Sequence, residues 1–144
     1  MAGRWKIARH RLELLGVHFL AFLPRLLPYR TAVRFGTLLG ILAFDIIRIR
    51  RGVTLANLKR AFGEGMTLHE RVRTGRRSYI NFAKSMIEFA SIPRLNPERI
   101  GKLVSFEGKE HVDRALEKGN GAVIVTGHFG SWELLGAAAA GSGM

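Results

Sequence analysis

Residues 122–133 read AVIVTGHFGSWE, and this stretch decides the fold that the sequence predicts. Residues 122–126 form a short apolar run, rich in β-branched side chains and without polar alternation, which is typical of a strand buried on both faces. Gly127 and Gly130 interrupt the run and favour a tight turn. A helix is then predicted to open around Ser131, so the stretch predicts a strand, a turn and a helix.

The preceding residues predict the same order once more. Residues 103–106 are a short strand candidate, residues 110–118 have helical apolar spacing, and Gly119-Asn120-Gly121 predicts a turn. Strand, helix, strand and helix in succession open an α/β sheet. Two parallel strands cannot bury both of their faces alone, so the sheet is predicted to be incomplete and the chain to be truncated.

Upstream of residue 98 the sequence predicts helices. One is expected to begin at Thr31 as its N-cap, and residues 53–62 have apolar side chains at helical spacing. Thr67 followed by Glu70 predicts a capping box for a further helix that stops before Pro93. The chain is thus divided into three predicted parts: 1–50, basic and apolar membrane-association helices; 51–97, an amphipathic helical region; 98–144, the incomplete start of a catalytic α/β domain.

The charge is concentrated in the first part of the chain. The 144 residues carry 23 Lys and Arg against 11 Asp and Glu, a net charge of +12, and residues 1–60 contain twelve of the basic residues but only Glu13 and Asp45, which leaves +10 there. These basic residues flank two apolar runs, residues 14–23 and 35–47. Apolar runs with cationic borders fit an anionic membrane surface.

Several alternatives to surface binding stay open. The first run is about half of the roughly 20 apolar residues that a spanning helix needs, and the second contains Asp45, so both runs favour surface or re-entrant insertion over a span or a buried core helix. A secretory signal is disfavoured because no small-residue cleavage site follows the first run. A +12 chain could also bind nucleic acid, but no nucleic-acid-binding motif accompanies the charge. The absence of cysteine excludes disulfides, thiolate metal sites and a cysteine nucleophile.

The chemistry centres on His128, which follows the carboxyl end of the predicted strand. Glu133 lies five positions later, and a strand-to-helix turn can bring its carboxylate to the imidazole. A carboxylate on one ring nitrogen would leave the other free to act as a general base. The amides near Gly130 and Ser131, at the predicted start of the helix, could stabilise a negative tetrahedral intermediate.

Other interpretations of these residues remain. A single histidine after a strand is more often structural, because a catalytic role needs a demonstrated geometry. Ser131 is explained as an N-cap, and the sequence around it lacks the Gly-x-Ser-x-Gly pattern of a nucleophile elbow. Trp132 is expected to be a packing or membrane-interface residue, with substrate contact as the minority interpretation. The other histidines have no partners at ligand spacing, so neither a metal nor a cofactor is expected.

Residues 123–135, VIVTGHFGSWELL, resemble the first conserved block of the bacterial lipid A biosynthesis late acyltransferases, the lauroyl and myristoyl transferases. Two upstream stretches, residues 51–64 and 79–89, are similar to that family as well. The resemblance covers nearly the whole chain but only the amino-terminal half of a family member. It implies that the histidine matching His128 is the base and that the acidic residue matching Glu133 supports it.

The resemblance also implies a function and partners. The expected reaction transfers a fatty acyl group from acyl carrier protein to a hydroxyl of a phosphorylated glucosamine lipid, at the cytoplasmic face of the bacterial inner membrane. The expected partners are anionic membrane lipid, acyl carrier protein and the phosphorylated glycolipid acceptor, and no nucleic acid. The alternatives are an acyltransferase that uses acyl-CoA and modifies phosphatidylinositol mannosides, or an inactive membrane-binding fragment.

Overall fold

The computed structural model describes residues 26–117 and 119–142 together with His10, Leu14, Gly16, Phe22 and Pro24. The chain divides into two compact units, Met1–Ala90 and Ser91–Met144. The basic residues at the start of the chain and most of the first apolar run lie outside the described residues, so their predicted membrane role stays a prediction. The three-part division of the chain predicted from the sequence is likewise not tested by these units.

The regular elements of the first unit, as far as it is described, are helical. Apolar and basic side chains alternate at helical spacing through most of this region, which explains why helices form here. The predicted helix over residues 53–62 is confirmed, and so is the helix that stops before Pro93, whereas the helix predicted from Thr31 begins two residues earlier. The elements are α1, Tyr29–Ile41; a π-helical turn, Leu42–Ile46; α2, Arg51–Phe62; a 3₁₀ turn, Gly63–Gly65; α3, Leu68–Ser91.

Helices α1 and α3 approach each other closely because one stripe of α1 carries only small residues. Ala32, Gly36 and Gly40 recur every four positions and are buried. A Cβ atom placed on Gly40 would lie 2.5 Å from Cα of Ile80 in α3. Small residues at this spacing allow two helix backbones to come together. The phenol of Tyr29 joins the same two helices by donating a 3.1 Å hydrogen bond to Oε1 of Glu88.

The buried ring of Phe44 packs at the junction between α1 and α2. Phe44, in the π-helical turn, is fully buried, and its ring meets the edge of Tyr79 in α3 at a centroid distance of 5.2 Å. The guanidinium carbon of Arg51 lies 4.7 Å from the centre of the Phe44 ring, a cation–π contact. The hydroxyl of Tyr79 also donates a hydrogen bond to the carbonyl of Ile49. These contacts fix the chain between the two helices.

The capping box predicted for α3 is confirmed. The amide of Thr67 donates to Oε2 of Glu70 at 2.8 Å, and the amide of Glu70 donates to Oγ1 of Thr67 at 3.3 Å. The two hydrogen bonds satisfy amides that a helix start would otherwise leave unpaired. The bond from the Thr67 amide, and after it the bond from the Thr67 hydroxyl, hold the pKa of Glu70 below its ordinary value.

The second unit is a small helical cluster around Ile100, Leu134 and Ala138, which are its buried apolar residues. Helix α5 confirms the helix predicted after Gly108, and α6 confirms the helix predicted to open around Ser131. The short α4 was not predicted; Asn96 caps it by accepting a hydrogen bond from the amide of Arg99. The elements are a 3₁₀ turn, Ile92–Arg94; α4, Pro97–Gly101; α5, Lys109–Leu116; α6, Trp132–Gly141.

The predicted α/β sheet is wrong. No strand occurs among the residues that the structure describes, and both strand candidates, residues 103–106 and 122–126, lie outside regular structure. The amides of Leu103 and Val104 donate to the carbonyl of Ile100 and extend the end of α4, so they are unavailable to a sheet. Residues 122–126 are apolar enough for a buried strand, but a strand forms only where a neighbouring backbone accepts and donates its hydrogen bonds. The architecture is therefore all-helical in the described part of the chain.

The predicted membrane segments can be compared with the structure only where it is described. Within residues 26–117 and 119–142, no helix combines the length and the apolar character that crossing a bilayer requires. The second apolar run lies in α1 and in the π-helical turn that directly follows it.

Candidate active site

The loop that precedes α6 carries the candidate site. The amide of Phe129 donates a 2.8 Å hydrogen bond to the carbonyl of Gly127, which closes a tight turn around His128. Gly130 has a positive φ of +63°, a conformation that residues with a Cβ rarely adopt. These two turns lead the chain from the loop into α6 and place His128 immediately before the helix.

His128 is exposed, and its ring is oriented by one aromatic neighbour. The centroids of the His128 and Trp132 rings lie 4.6 Å apart, with an angle of 62° between the ring planes. Such an edge-to-face contact leaves much of the imidazole free while restricting its rotation. Trp132, expected from the sequence to be a packing residue, therefore packs on the proposed base itself.

Glu133 lies in the first turn of α6. Its Oε2 atom is buried and has no hydrogen-bond partner among the residues that the structure describes. His128 precedes the turn-to-helix junction and Glu133 follows it, and no ion pair or hydrogen bond joins the two described side chains. The contact between carboxylate and imidazole that the spacing suggests is thus not formed in this structure.

Ser131 occupies the N-cap position of α6, as predicted, but its hydroxyl makes no capping hydrogen bond. Like Oε2 of Glu133, its Oγ atom is buried and has no hydrogen-bond partner in the described part of the chain. A buried polar atom without a partner costs about 1–3 kcal/mol. Two such atoms at one helix start are unusual, because most buried polar atoms in folded proteins are hydrogen-bonded.

The start of α6 provides amide donors. The first backbone hydrogen bond of the helix runs from the amide of Leu135 to the carbonyl of Ser131, at 3.1 Å. The preceding amides, including those of Trp132 and Glu133, have no carbonyl one turn earlier within the helix. Gly130, Ser131 and Trp132 are the residues predicted to bind substrate or the oxyanion, and the position of the helix start adds the amide of Glu133 to these candidates.

The exposure of the apolar residues around His128 was missed by the sequence analysis. Val123, Val125 and Phe129 are 92%, 91% and 93% exposed. An apolar run without alternation predicts burial, and nothing in the run itself indicates that its side chains are open. The histidine therefore lies within an exposed apolar segment instead of at the edge of a buried sheet.

A match to a family of acyltransferases covers nearly the whole chain. Residues 3–141 match the sequence model of the bacterial lipid A biosynthesis acyltransferases, and the chain belongs to this family. The resemblance predicted from residues 123–135 is confirmed by this match. No curated protein and no solved structure matches the chain. The protein is therefore an acyltransferase of lipid A biosynthesis, and hence of lipopolysaccharide biosynthesis.

Proposed function

We propose that this acyltransferase moves a fatty acyl group from acyl carrier protein to a hydroxyl of a phosphorylated glucosamine lipid that is a precursor of lipid A. His128 serves as the general base, and Glu133 supports it. One observation carries this assignment of roles. The exposed imidazole of His128 lies just before a helix start, and in the first turn of that helix a buried carboxylate oxygen of Glu133 has no hydrogen-bond partner among the described residues. Family membership supports the class of reaction.

The chemistry requires one base and a set of hydrogen-bond donors. His128 takes the proton from the acceptor hydroxyl as the oxygen attacks the thioester carbonyl, and a new C–O bond forms. The amides at the start of α6 stabilise the resulting oxyanion. The C–S bond then breaks, and the thiol leaves with the proton that His128 held. A rotation of the Glu133 side chain toward His128 would let its carboxylate accept a hydrogen bond from the other ring nitrogen.

The surroundings of His128 support an acyl donor. Val125 and Phe129, almost fully exposed, offer apolar surface to a fatty chain on both sides of the histidine in sequence. The chain's net charge of +12 attracts both an acidic carrier protein and an anionic phosphorylated lipid. These partners belong at the cytoplasmic face of the bacterial inner membrane, and neither a metal nor another cofactor takes part.

Exchange of donor and acceptor tests the proposal. The full chain is incubated in detergent with a radiolabelled acyl group on either acyl carrier protein or coenzyme A, and with either a lipid A precursor or a phosphatidylinositol mannoside. We expect label to enter the lipid A precursor from acyl carrier protein at the highest rate. Preferred transfer from acyl-CoA to the mannoside would support the alternative acyltransferase, and vesicle binding without any transfer would support an inactive membrane-binding fragment.

A further inference from the structure

Residues 46–51, which run from the last residue of the π-helical turn to the first residue of α2, read IIRIRR and form a surface that we call the α1–α2 tip. Its three isoleucines are open to solvent: Ile46 is 71% exposed, Ile47 60% and Ile49 50%. Large aliphatic side chains grouped in this way are unusual on a protein surface that stays in water. These side chains would be stabilised by contact with the hydrocarbon of a binding partner.

The charge of the tip is uniformly positive. Arg48, Arg50 and Arg51 all lie within it, and Asp45 is the only acidic residue between residues 14 and 63. Asp45 is turned to α3, where its Oδ2 atom lies 2.7 Å from Nε of Arg76, an ion pair whose geometry forms no hydrogen bond. The carboxylate of Asp45 is thus paired with Arg76, and no ion pair is found for Arg48, Arg50 or Arg51 among the described residues.

The tip is held in a defined shape. Arg48 and Arg50 have positive φ angles of 59° and 48°, which residues with a Cβ adopt only where the surroundings hold them. The hydrogen bond from Tyr79 to the carbonyl of Ile49 and the burial of Phe44 supply those surroundings. The isoleucines and arginines are therefore presented together by a fixed turn.

We propose that the α1–α2 tip docks on an anionic bilayer, with the side chains of Ile46, Ile47 and Ile49 among the upper acyl chains and those of Arg48 and Arg50 on lipid phosphates. Exposed apolar side chains can enter the acyl-chain region of such an interface, and basic side chains are attracted to its anionic headgroups. A stable protein partner needs about 20–30 residues per side, many more than the six of the tip. The inference goes beyond the proposed function, which leaves open which part of the chain meets the membrane.

Because the chain has no cysteine, one labelled position can report on the tip directly. Ile47→Cys and Ala61→Cys are each labelled with an environment-sensitive fluorophore; Ala61 is an exposed residue of α2, about 15 Å from Arg51 along the helix. The vesicles are equimolar phosphatidylglycerol and phosphatidylcholine. We expect a blue shift at position 47 that clearly exceeds any shift at position 61.

Removal of charge tests whether the arginines of the tip contribute to vesicle binding. The double variant Arg48→Gln, Arg50→Gln is expected to bind these vesicles about 30-fold more weakly at low ionic strength, since each basic residue at the surface contributes about a fivefold factor. The matched control is Lys59→Gln with Arg60→Gln, which removes the same charge from exposed positions of α2. Unchanged helix content by circular dichroism shows that both variants are folded.

Two results would overturn the proposal. In the first, the protein sediments with the vesicles while the label at position 47 does not shift, which means that another segment binds. In the second, the label shifts on addition of an acidic carrier protein without vesicles, which assigns the tip to a protein partner. Neither measurement needs acyl transfer, so failure here is distinguishable from failure of the proposed function.

Discussion

The variant His128→Ala is expected to transfer acyl groups about 10²–10⁴-fold more slowly than the unmodified chain, because it removes the general base from the attack on the thioester. His128 is exposed and contacts the ring of Trp132, so its loss leaves the apolar cluster of Ile100, Leu134 and Ala138 intact. The measurement is the initial rate of label transfer from acyl carrier protein to a lipid A precursor.

The chain offers a matched control for this variant. His111, in α5, is another exposed histidine of the second unit and lies outside the conserved block. His111→Ala is expected to keep the rate of the unmodified chain. Equal rates for His128→Ala and the unmodified chain would exclude His128 as the base.

The variant Gly40→Ala is expected to destabilise the first unit by about 3 kcal/mol, at the upper end of the usual cost of overpacking. The added methyl group would lie 2.5 Å from Cα and 2.8 Å from N of Ile80, and both are backbone atoms that no side-chain rotation can move away. Helices α1 and α3 would have to separate, and the contacts around Phe44 would be strained with them. The measurement is urea unfolding followed by circular dichroism.

Gly52→Ala is the control for the effect of a methyl group as such. A Cβ on Gly52, in α2, meets no heavy atom within 4 Å, and alanine is the better helix former by roughly 1 kcal/mol. This variant is expected to unfold at the same urea concentration as the unmodified chain or a higher one. If Gly40→Ala behaved in the same way, the close approach of α1 and α3 would be contradicted.

The helices were predicted well because their signals are local. The capping box of Thr67 and Glu70 and the stop before Pro93 depend on hydrogen bonds and backbone angles within a few residues. The N-cap of α1 was missed by three residues because Pro28 takes this position in place of Thr31, which the spacing of apolar residues cannot show. Short elements such as α4 carry too few residues for a periodicity.

The two strand predictions were wrong because strand formation depends on residues that are not local in sequence. Whether residues 122–126 form a strand depends on a neighbouring backbone, and composition carries no information on that neighbour. Val123 and Val125 have the side chains of a buried strand, yet both are exposed. The motif around His128 was found regardless, because residue identity and spacing suffice to recognise a family, whereas the relation of His128 to Glu133 depends on side-chain geometry.

The most direct test of the account is a double-mutant cycle between His128 and Glu133, measured as initial rates of acyl transfer to the lipid A precursor. If Glu133 acts through the imidazole, Glu133→Gln will lower the rate of the unmodified chain by at least about tenfold and will not lower the rate of His128→Ala any further. The opposite result, an equal loss from Glu133→Gln in both backgrounds, would show that the two residues act independently and would contradict the proposed site.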